Sequence, residues 1–245
     1  MNGRREKGSG ADGPRGRARP RADPFRFDRR RLAALGGEDH VLAGADEAGR
    51  GCLAGPLVAA AVTLDYRRPR FPALEGLTDS KLLARERREE LYHHILTEAG
   101  RVSIAVVSAH TIDEVGLHRC NLRALGDALA GLAGRYDLAL VDGFEVGRPQ
   151  LRAERLVGGD GKSAVVAAAS VVAKVVRDRL MRALDAIHPV YGFAQHVGYG
   201  TRQHREALRV YGPCVLHRRS FAGVGESPPT LWSEGDRDGD PGAGQ

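Results

Sequence analysis

Short apolar runs alternate along the chain with longer stretches of helix-forming residues, and this alternation predicts an α/β fold. Strands are predicted at 41–46, 55–65, 102–109, 138–141 and 155–157. Helices are predicted at 78–98, at 111–134 with an interruption near Gly116, at 162–187 and at 200–211. The helix at 162–187 is mostly apolar, so it is expected to be central and buried. Strands followed by helices fit a sheet that carries helices on its faces.

Composition divides the chain into a folded domain at 38–223 and two tails. Residues 1–37 form an Arg/Gly-rich tail, predicted to be disordered apart from a short helix near 31–35, and residues 224–245 form an acidic tail, also predicted to be disordered. The net charge is +6, of which residues 1–31 hold +7 and residues 224–245 hold −4. The folded part is therefore only mildly basic. The basic tail is either a solvated extension or an electrostatic tether to nucleic acid.

Several classes of protein do not fit this composition. No apolar run is long enough to cross a membrane, and the first residues lack the apolar stretch of a signal peptide. The cysteines Cys52, Cys120 and Cys214 are far apart and form no CxxC motif. They favour a reducing compartment, and hence a cytoplasmic protein, over a disulfide framework or a zinc cluster.

The most informative stretch is Asp46-Glu47-Ala48-Gly49-Arg50-Gly51, which follows a small apolar run and precedes another. Interiors do not leave adjacent carboxylates uncompensated, so a cation is expected beside them. Glycines allow a tight turn and the close approach of a bulky ligand. Arg50 suits a phosphate group or a backbone edge.

Two further acids are candidates for the same site. Asp142 ends a second short apolar run, and Asp160 precedes the long helix, whose N-terminus favours a carboxylate. Regular alternation would send the side chains of Asp46 and Glu47 to opposite faces, so the glycine turn must redirect Glu47 unless it reaches the site from the side. The alternative interpretations are a turn at Asp142 and a simple helix cap at Asp160.

Asp178 competes with Asp160 for the fourth position. The two would lie roughly 27 Å apart along a continuous helix, so one compact site cannot use both. We choose Asp160 and expect Asp178 to pair with a surface Arg or Lys. Ser170 is interpreted as small-residue packing.

The donor set predicts the kind of metal. Carboxylate oxygens suit Mg²⁺ or Mn²⁺, and several carboxylates around two such ions are the arrangement for in-line phosphoryl transfer. The histidines His196, His204 and His217 are scattered, and each is interpreted as a structural or contact residue rather than a ligand. Basic residues near the acids could hold phosphates, namely Arg50, Lys81 and Lys162.

Five strings in this sequence strongly resemble type-2 ribonuclease H, the prokaryotic ribonuclease HII family. They are DEAGRG, TDSKLL at 78–83, VDG at 141–143, GGDGKSAVVAAASVVAKVVRDRLM at 158–181 and YGFAQHVGYGTRQHREAL at 191–208. Together they are spread over most of residues 40–222. GGDGKS departs from the commoner KGDS pattern. Type-3 relatives carry a folded N-terminal module where this chain has only the Arg/Gly tail, so type 2 is preferred.

The resemblance implies a ribonuclease H-like fold with a mixed five-stranded sheet flanked by helices, and a small helical C-terminal region from about residue 185. It implies a metal-dependent endonuclease that hydrolyses the RNA strand of RNA–DNA hybrids. It also implies nicking on the 5′ side of ribonucleotides embedded in DNA, with 3′-hydroxyl and 5′-phosphate ends. The implied catalytic and metal-binding residues are Asp46, Glu47, Asp142 and Asp160. The implied substrate contacts are Gly49, Arg50 and Gly51 on the ribose 2′-hydroxyl, and Tyr199 stacked on the sugar at the RNA–DNA junction.

The expected partners are RNA–DNA hybrids and DNA duplexes that contain ribonucleotides, bound by a monomer with two divalent ions. Three rival functions stay open at this point. They are a DNA nuclease or transferase on the same fold, a non-catalytic nucleic-acid binder with a vestigial site, and a small-molecule phosphatase. The four acids argue against the second, and the basic tail makes the third less attractive.

Overall fold

A five-stranded sheet organises the protein in a computed structural model that describes residues 23–36 and 40–225. Its strands are β1 (Val41–Ala48), β2 (Leu57–Asp65), β3 (Arg101–Val107), β4 (Leu138–Asp142) and β5 (Ala153–Leu156). The spatial order is β3-β2-β1-β4-β5. β1 pairs antiparallel with β2 and parallel with β4, so the sheet is mixed. This architecture confirms the predicted fold class.

The helices lie on both faces of the sheet, and those that follow α5 lie beside the segment between β1 and β2. They are α1 (Pro24–Leu35), α2 (Arg85–Glu98), α3 (Ala109–Val115), α4 (Leu117–Ala130), α5 (Ala164–Asp185), α6 (Phe193–His196) and α7 (Arg202–Tyr211). Short 3₁₀ turns occur at Pro72–Leu74, Ser80–Leu82, Pro149–Leu151, Gly159–Gly161 and Pro189–Tyr191. Among the described residues, none of the helices has the length and apolar character needed to span a bilayer.

Alternation along β1 creates two separate cores. Leu42 belongs to the core that α5 covers, whereas Ala43 and Ala45 belong to the core that α4 covers. Gly44 faces α5 so closely that a Cβ atom there would lie 2.2 Å from the Val165 backbone. The central, buried position predicted for the long helix is therefore confirmed, and it depends on a strand of small residues beneath it.

Most helix boundaries differ from the sequence-based predictions by a few residues, and two of the differences have a visible cause. The helix predicted from residue 78 begins at Arg85, because Asp79 instead caps a 3₁₀ turn by accepting from the Lys81 N–H at 2.9 Å. The helix predicted from Thr111 begins at Ala109, because the Ser108 hydroxyl accepts from the Thr111 N–H. The predicted interruption at Gly116 is confirmed, with φ of 90° at that residue.

The predicted disorder is wrong for residues 24–30, which form α1 together with the helix predicted near 31–35. Asp23 caps this helix, and the Asp28 side chain is fully buried on it. The Asp28 carboxylate accepts from the Val165 N–H at 3.0 Å and from the Tyr66 hydroxyl, so α1 is fastened to the start of α5. The rest of the predicted tail, 1–22 and 37, and nearly all of the predicted acidic tail, 226–245, lie outside the described residues.

The segment after α5 forms the predicted helical C-terminal region. It has a small core of its own, in which Met181 of α5 packs with Tyr191, Phe193 and Ala207. This core also includes Ala54, which lies just before β2. The C-terminal region is therefore packed directly against the glycine-rich stretch between β1 and β2.

Candidate active site

Three carboxylates meet at the end of the parallel strand pair β1 and β4. Asp46 lies near the end of β1, Asp142 ends β4, and Asp160 lies in the 3₁₀ turn just before α5. Each offers an oxygen atom, and the three atoms all lie within 4.8 Å of one another. We call these three residues the acid edge. The structure thus brings together three of the four acids singled out in the sequence, from positions up to 114 residues apart.

Backbone hydrogen bonds fix two of these carboxylates. The Glu47 N–H donates to Asp46 Oδ1 at 2.7 Å, and the Gly159 N–H donates to Asp142 Oδ1 at 2.6 Å. The second bond ties the turn that carries Asp160 to the end of β4. The site is therefore set by the strand register and by one short turn rather than by long flexible side chains.

The acid edge is electrostatically unfavourable when no cation is bound. Burial raises the pKa of Asp46 well above its usual value, and the Glu47 and Asp142 carboxylates raise it further. Burial, followed by the effect of Asp142, also raises the pKa of Asp160. Lys81 Nζ lies 3.8 Å from Asp160 Oδ2 and offsets only part of this repulsion.

Glu47 lies on the other face of the sheet. β1 continues in regular register to Ala48, so the glycine turn does not redirect Glu47, and of the two alternatives only an approach from the side stays open. Burial raises the pKa of Glu47 to about 7, with Asp142 acting in the same direction and Arg50 and Asn121 opposing. Glu47 is therefore near Asp142 but outside the three-oxygen cluster. To bind the same cation, its carboxylate would have to approach from the α4 face of the sheet.

Orphaned polar atoms mark the Glu47 side of the site. Glu47 Oε2 is buried without a hydrogen-bond partner among the described residues, as are Oδ1 and Nδ2 of Asn121 on α4. Asn121 was not predicted from the sequence. The sequence signal that could have indicated Asn121 was a polar residue on the apolar helix face that buries Cys120, Ala124 and Leu125.

The donor set fits hard divalent cations. Three carboxylate oxygens converge, two of the acids have raised pKa values, and Glu47 Oε2 is an unsatisfied acceptor close by. Buried oxygen ligands of this kind match Mg²⁺ or Mn²⁺. The residues that would hold them are Asp46, Asp142 and Asp160, with Glu47 at the side.

Asp178 is engaged elsewhere on α5. Its carboxylate accepts from Lys174 Nζ at 2.8 Å, and Arg88 Nη2 lies 4.0 Å away. The predicted pairing with a basic side chain is therefore found, although Lys174 and Arg88 are themselves largely buried rather than at the surface. Asp160, not Asp178, joins the acid edge.

Ser170 does more than fill space in α5. Its hydroxyl lies 2.8 Å from the Ser80 hydroxyl, and Ser170 lowers the pKa of Asp46 against the larger, opposite effect of burial. The interpretation of Ser170 as packing alone is therefore wrong. Ser170 and Ser80 link the site to the TDSKLL stretch.

The residues predicted to contact the substrate differ in how freely a ligand can reach them. Residues 49–56, which we call the glycine turn, connect β1 to β2, and the Arg50 guanidinium lies over the Phe144 ring. Gly51 has no atom within 4 Å of the position of a Cβ, whereas a Cβ on Gly49 would lie 1.8 Å from Arg177 Nε. Lys162 Nζ donates to the Val157 carbonyl at 2.6 Å and closes its own loop.

Tyr199 lies beside the glycine turn in the loop between α6 and α7. The Leu53 N–H donates to the Gly198 carbonyl at 2.9 Å, which joins that loop to the turn. The Tyr199 side chain is 39% exposed, and Lys174 Nζ lies 5.4 Å from its ring centre. An exposed ring at this position is available for stacking.

The three histidines form one buried group rather than separate contacts. His204 Nδ1 bonds to the Tyr199 carbonyl at 2.9 Å, and His204 Nε2 lies 3.0 Å from His217 Nε2. The Cys214 N–H donates to His217 Nδ1, so His217 donates through Nε2 to His204. Burial lowers the pKa of both His204 and His217 to about 4, which keeps them neutral. They fit the structural role predicted from the sequence.

Comparison with known proteins identifies relatives of this chain. The family model described as Ribonuclease HII matches residues 43–224. Ribonuclease HII of Xanthobacter autotrophicus is 50% identical over 200 residues, which cover 82% of this chain and 78% of that protein. Ribonuclease HII of Rhizobium johnstonii is 52% identical over 182 residues, covering 74% and 77%. The crystal structure of ribonuclease H2 from Pyrococcus horikoshii aligns with a TM-score of 0.65 at 25% identity, covering 75% of this chain and 95% of that one.

Proposed function

Because the chain belongs to the ribonuclease HII family, we propose that it is a metal-dependent endonuclease that hydrolyses the RNA strand of RNA–DNA hybrids. We further propose that it nicks duplex DNA on the 5′ side of embedded ribonucleotides and leaves 3′-hydroxyl and 5′-phosphate ends. The observation that carries the proposal is the convergence of three carboxylates at the acid edge.

The cofactor we propose is a pair of Mg²⁺ or Mn²⁺ ions. Such ions, when bound, activate a water molecule and stabilise the leaving oxygen of an in-line displacement. Asp46, Asp142 and Asp160 supply the oxygen ligands, and Glu47 contributes from its own face of the sheet. The N–H groups of Glu47 and Gly159 hold two of these carboxylates in place before any ligand arrives.

Other residues position the nucleic acid. Lys81 stands 3.8 Å from Asp160 and bears a positive charge. Burial lowers its pKa, but Asp79, Asp46 and Asp160 together outweigh that effect and raise it. It is suited to a phosphate beside the scissile bond. Arg50 carries a second positive charge at the glycine turn. A phosphate contact by Lys162 requires release of its hydrogen bond to Val157.

Recognition of the ribonucleotide is assigned to the glycine turn and to Tyr199. The open space over Gly51 allows the backbone to approach a 2′-hydroxyl, which is the group that distinguishes RNA from DNA. The exposed Tyr199 ring offers a surface for stacking on the sugar at the junction. One chain carries all of these residues, so we propose a monomer. The three free cysteines support a cytoplasmic location.

The test is cleavage of two labelled duplexes that differ in one 2′-hydroxyl, one with a single ribonucleotide and one entirely DNA. Mg²⁺ or Mn²⁺ should support cleavage of the first duplex alone, at the 5′ side of the ribonucleotide, and a chelator should abolish it. Equal cleavage of both duplexes would instead indicate a DNA nuclease. Cleavage in excess chelator would contradict the metal-dependent mechanism.

A further inference from the structure

Two arginines lie completely buried beneath the glycine turn. Arg177 is on α5, Arg218 follows α7, and neither side chain is exposed to solvent. Their guanidinium groups make six hydrogen bonds, all to backbone carbonyl oxygens. Within the described residues neither forms an ion pair with a carboxylate. Buried charges are normally paired, so this arrangement needs an explanation.

Arg218 connects the two ends of the glycine turn. Its Nη1 donates to the Arg50 carbonyl at 2.8 Å, while Nε and Nη2 donate to the Gly55 carbonyl at 3.2 and 3.0 Å. The rigid, planar donor set of arginine is required to span two carbonyls in this way. Burial lowers the pKa of Arg218 to about 10, so the group remains charged at neutral pH.

Arg177 connects the turn to the Tyr199 loop. Its Nε donates to the Pro56 carbonyl at 2.9 Å, its Nη2 to the Ala54 carbonyl at 3.1 Å and its Nη1 to the Val197 carbonyl at 2.8 Å. Its Nε also fills the space that a side chain on Gly49 would occupy. The first glycine of the turn is therefore required by packing against Arg177.

The Arg218 contact has a direct consequence for the peptide between Arg50 and Gly51. In a trans peptide the C=O and the N–H point in opposite directions. Since Arg218 holds the Arg50 carbonyl inward, the Gly51 N–H faces away from Arg218. That N–H makes no hydrogen bond within the described residues, and the space over Gly51 is open.

We propose that Arg177 and Arg218 are positioning residues, which hold the carbonyl groups of the glycine turn inward and thereby present the Gly51 N–H to the substrate 2′-hydroxyl. This inference rests on the proposed function. Neither arginine touches the substrate, because both are fully buried. Their role is to set the turn in its binding conformation before the nucleic acid arrives, with two positive charges behind it.

The test compares Arg218→Lys and Arg177→Lys, which retain the charge but lose the forked donors, with Arg182→Lys as control. Arg182 lies on α5 and pairs with Glu89. Dissociation constants are measured with Ca²⁺ in place of Mg²⁺ for the one-ribonucleotide duplex and the all-DNA duplex. Thermal unfolding is recorded for each variant. Each lysine variant should lose about fivefold or more of the preference for the ribonucleotide, as expected for one oriented hydrogen bond, with its affinity for DNA little changed. The control should keep the parent preference.

The outcomes separate this inference from the proposed function. A parent enzyme that cleaves both duplexes equally with Mg²⁺ would contradict the proposed function, whereas a parent that cleaves only the ribonucleotide duplex but binds both equally would overturn the inference. A parent preference that both folded lysine variants retain would overturn the inference alone, and so would an equal loss of affinity for both duplexes. Should Arg218→Lys be unfolded at the assay temperature, Arg177→Lys decides the question, because it holds the same turn from its other end.

Discussion

The acid edge and the glycine turn are neighbours at the end of β1, yet buried negative charges form the first and buried positive charges support the second. The acid edge gathers carboxylates whose mutual repulsion and burial raise the pKa values of Asp46 and Asp160. The glycine turn packs against Arg177 and Arg218, whose guanidinium groups donate all their hydrogen bonds to backbone carbonyl oxygens. The carboxylates of the acid edge need a bound cation to offset their repulsion. The hydrogen bonds of the glycine turn are already formed without a ligand.

This difference separates the effects of substitution on stability and on activity. Removing a charge from the acid edge should relieve strain in the metal-free protein while it destroys the cation site. Disturbing the glycine turn should instead weaken the metal-free protein, because its contacts are already formed. Each of the following predictions tests this difference between effects on stability and effects on activity.

The largest effect is expected from Asp46→Asn. Loss of this ligand should lower the cleavage rate about 10²- to 10³-fold or more, comparable to removal of a key electrostatic group from an active site. In chelator the variant should unfold at a higher temperature than the parent, since one buried like charge is gone. Added Mn²⁺ should raise the unfolding temperature of the parent but not of the variant. Parent-like turnover at moderate Mn²⁺ would refute the assignment.

Asp160→Asn and Asp178→Asn form a matched pair, because Asp160 lies just before α5 and Asp178 lies within it. Asp160→Asn should reduce the rate about a hundredfold, because Asp160 shares the acid edge. Asp178→Asn should leave the rate nearly unchanged but cost about 2 to 4 kcal/mol of stability, since Lys174 and Arg88 lose their buried partner. Single-turnover rates and urea unfolding measure the two effects. The reverse pattern would show that Asp178 is the fourth acid.

The acid edge was accessible from the sequence because its positions follow from strand ends. Asp46 and Asp142 each follow a short apolar run, and adjacent parallel strands bring such ends together. The length of the helix excludes a site that uses both Asp160 and Asp178, and the short connection from Asp142 to Asp160 around one strand end favours Asp160. Glu47 was harder, because its direction depends on whether β1 stays regular past Asp46, which a glycine-rich sequence does not reveal.

The supports of the glycine turn were not accessible in the same way. Arg177 and Arg218 look like surface residues in a sequence, and their partners are carbonyl oxygens more than 100 residues away or in another loop. The first half of α1 was missed for a similar reason. Its sequence is rich in arginine, and its stability comes from Asp28 docking on Val165, a contact with no local signal.

The two glycines on either side of Arg50 provide the next test. Gly49→Ala should destabilise the protein by about 4 kcal/mol, because φ at Gly49 is 89° and its Cβ would clash with Arg177. Gly51→Ala should change stability by less than about 1 kcal/mol, because its Cβ meets no atom within 4 Å. Gly51→Ala should nevertheless slow cleavage of the one-ribonucleotide duplex, where a methyl group would obstruct the sugar. Equal unfolding free energies for the two variants would contradict the packing argument.

The smallest effect concerns Asp28, a buried carboxylate that belongs to neither region. Burial raises its pKa to about 6 from about 3.8. The folded state then binds more protons than the unfolded state between pH 4 and 6, so Asp28 costs stability as the pH rises through that window. The cost reaches at most about 3 kcal/mol above pH 6. Asp28→Asn does not titrate, so the stability of the variant relative to the parent should rise by up to that amount from pH 4 to pH 7.

Urea unfolding at both pH values, in chelator, measures this difference directly. The acid edge is present in parent and variant alike, so its own titration cancels from the comparison. Asp23→Asn is the matched control, because Asp23 is exposed at the cap of the same helix and its replacement keeps a side-chain acceptor for the Phe25 N–H. That control removes an exposed carboxylate from the same helix and should not reproduce the Asp28→Asn difference. If the Asp28→Asn difference were constant from pH 4 to pH 7, the Asp28 carboxylate would have its ordinary pKa in the folded protein. The hydrogen bonds from the Tyr66 hydroxyl and the Val165 N–H would then offset the cost of burying the charged Asp28 carboxylate between α1 and α5.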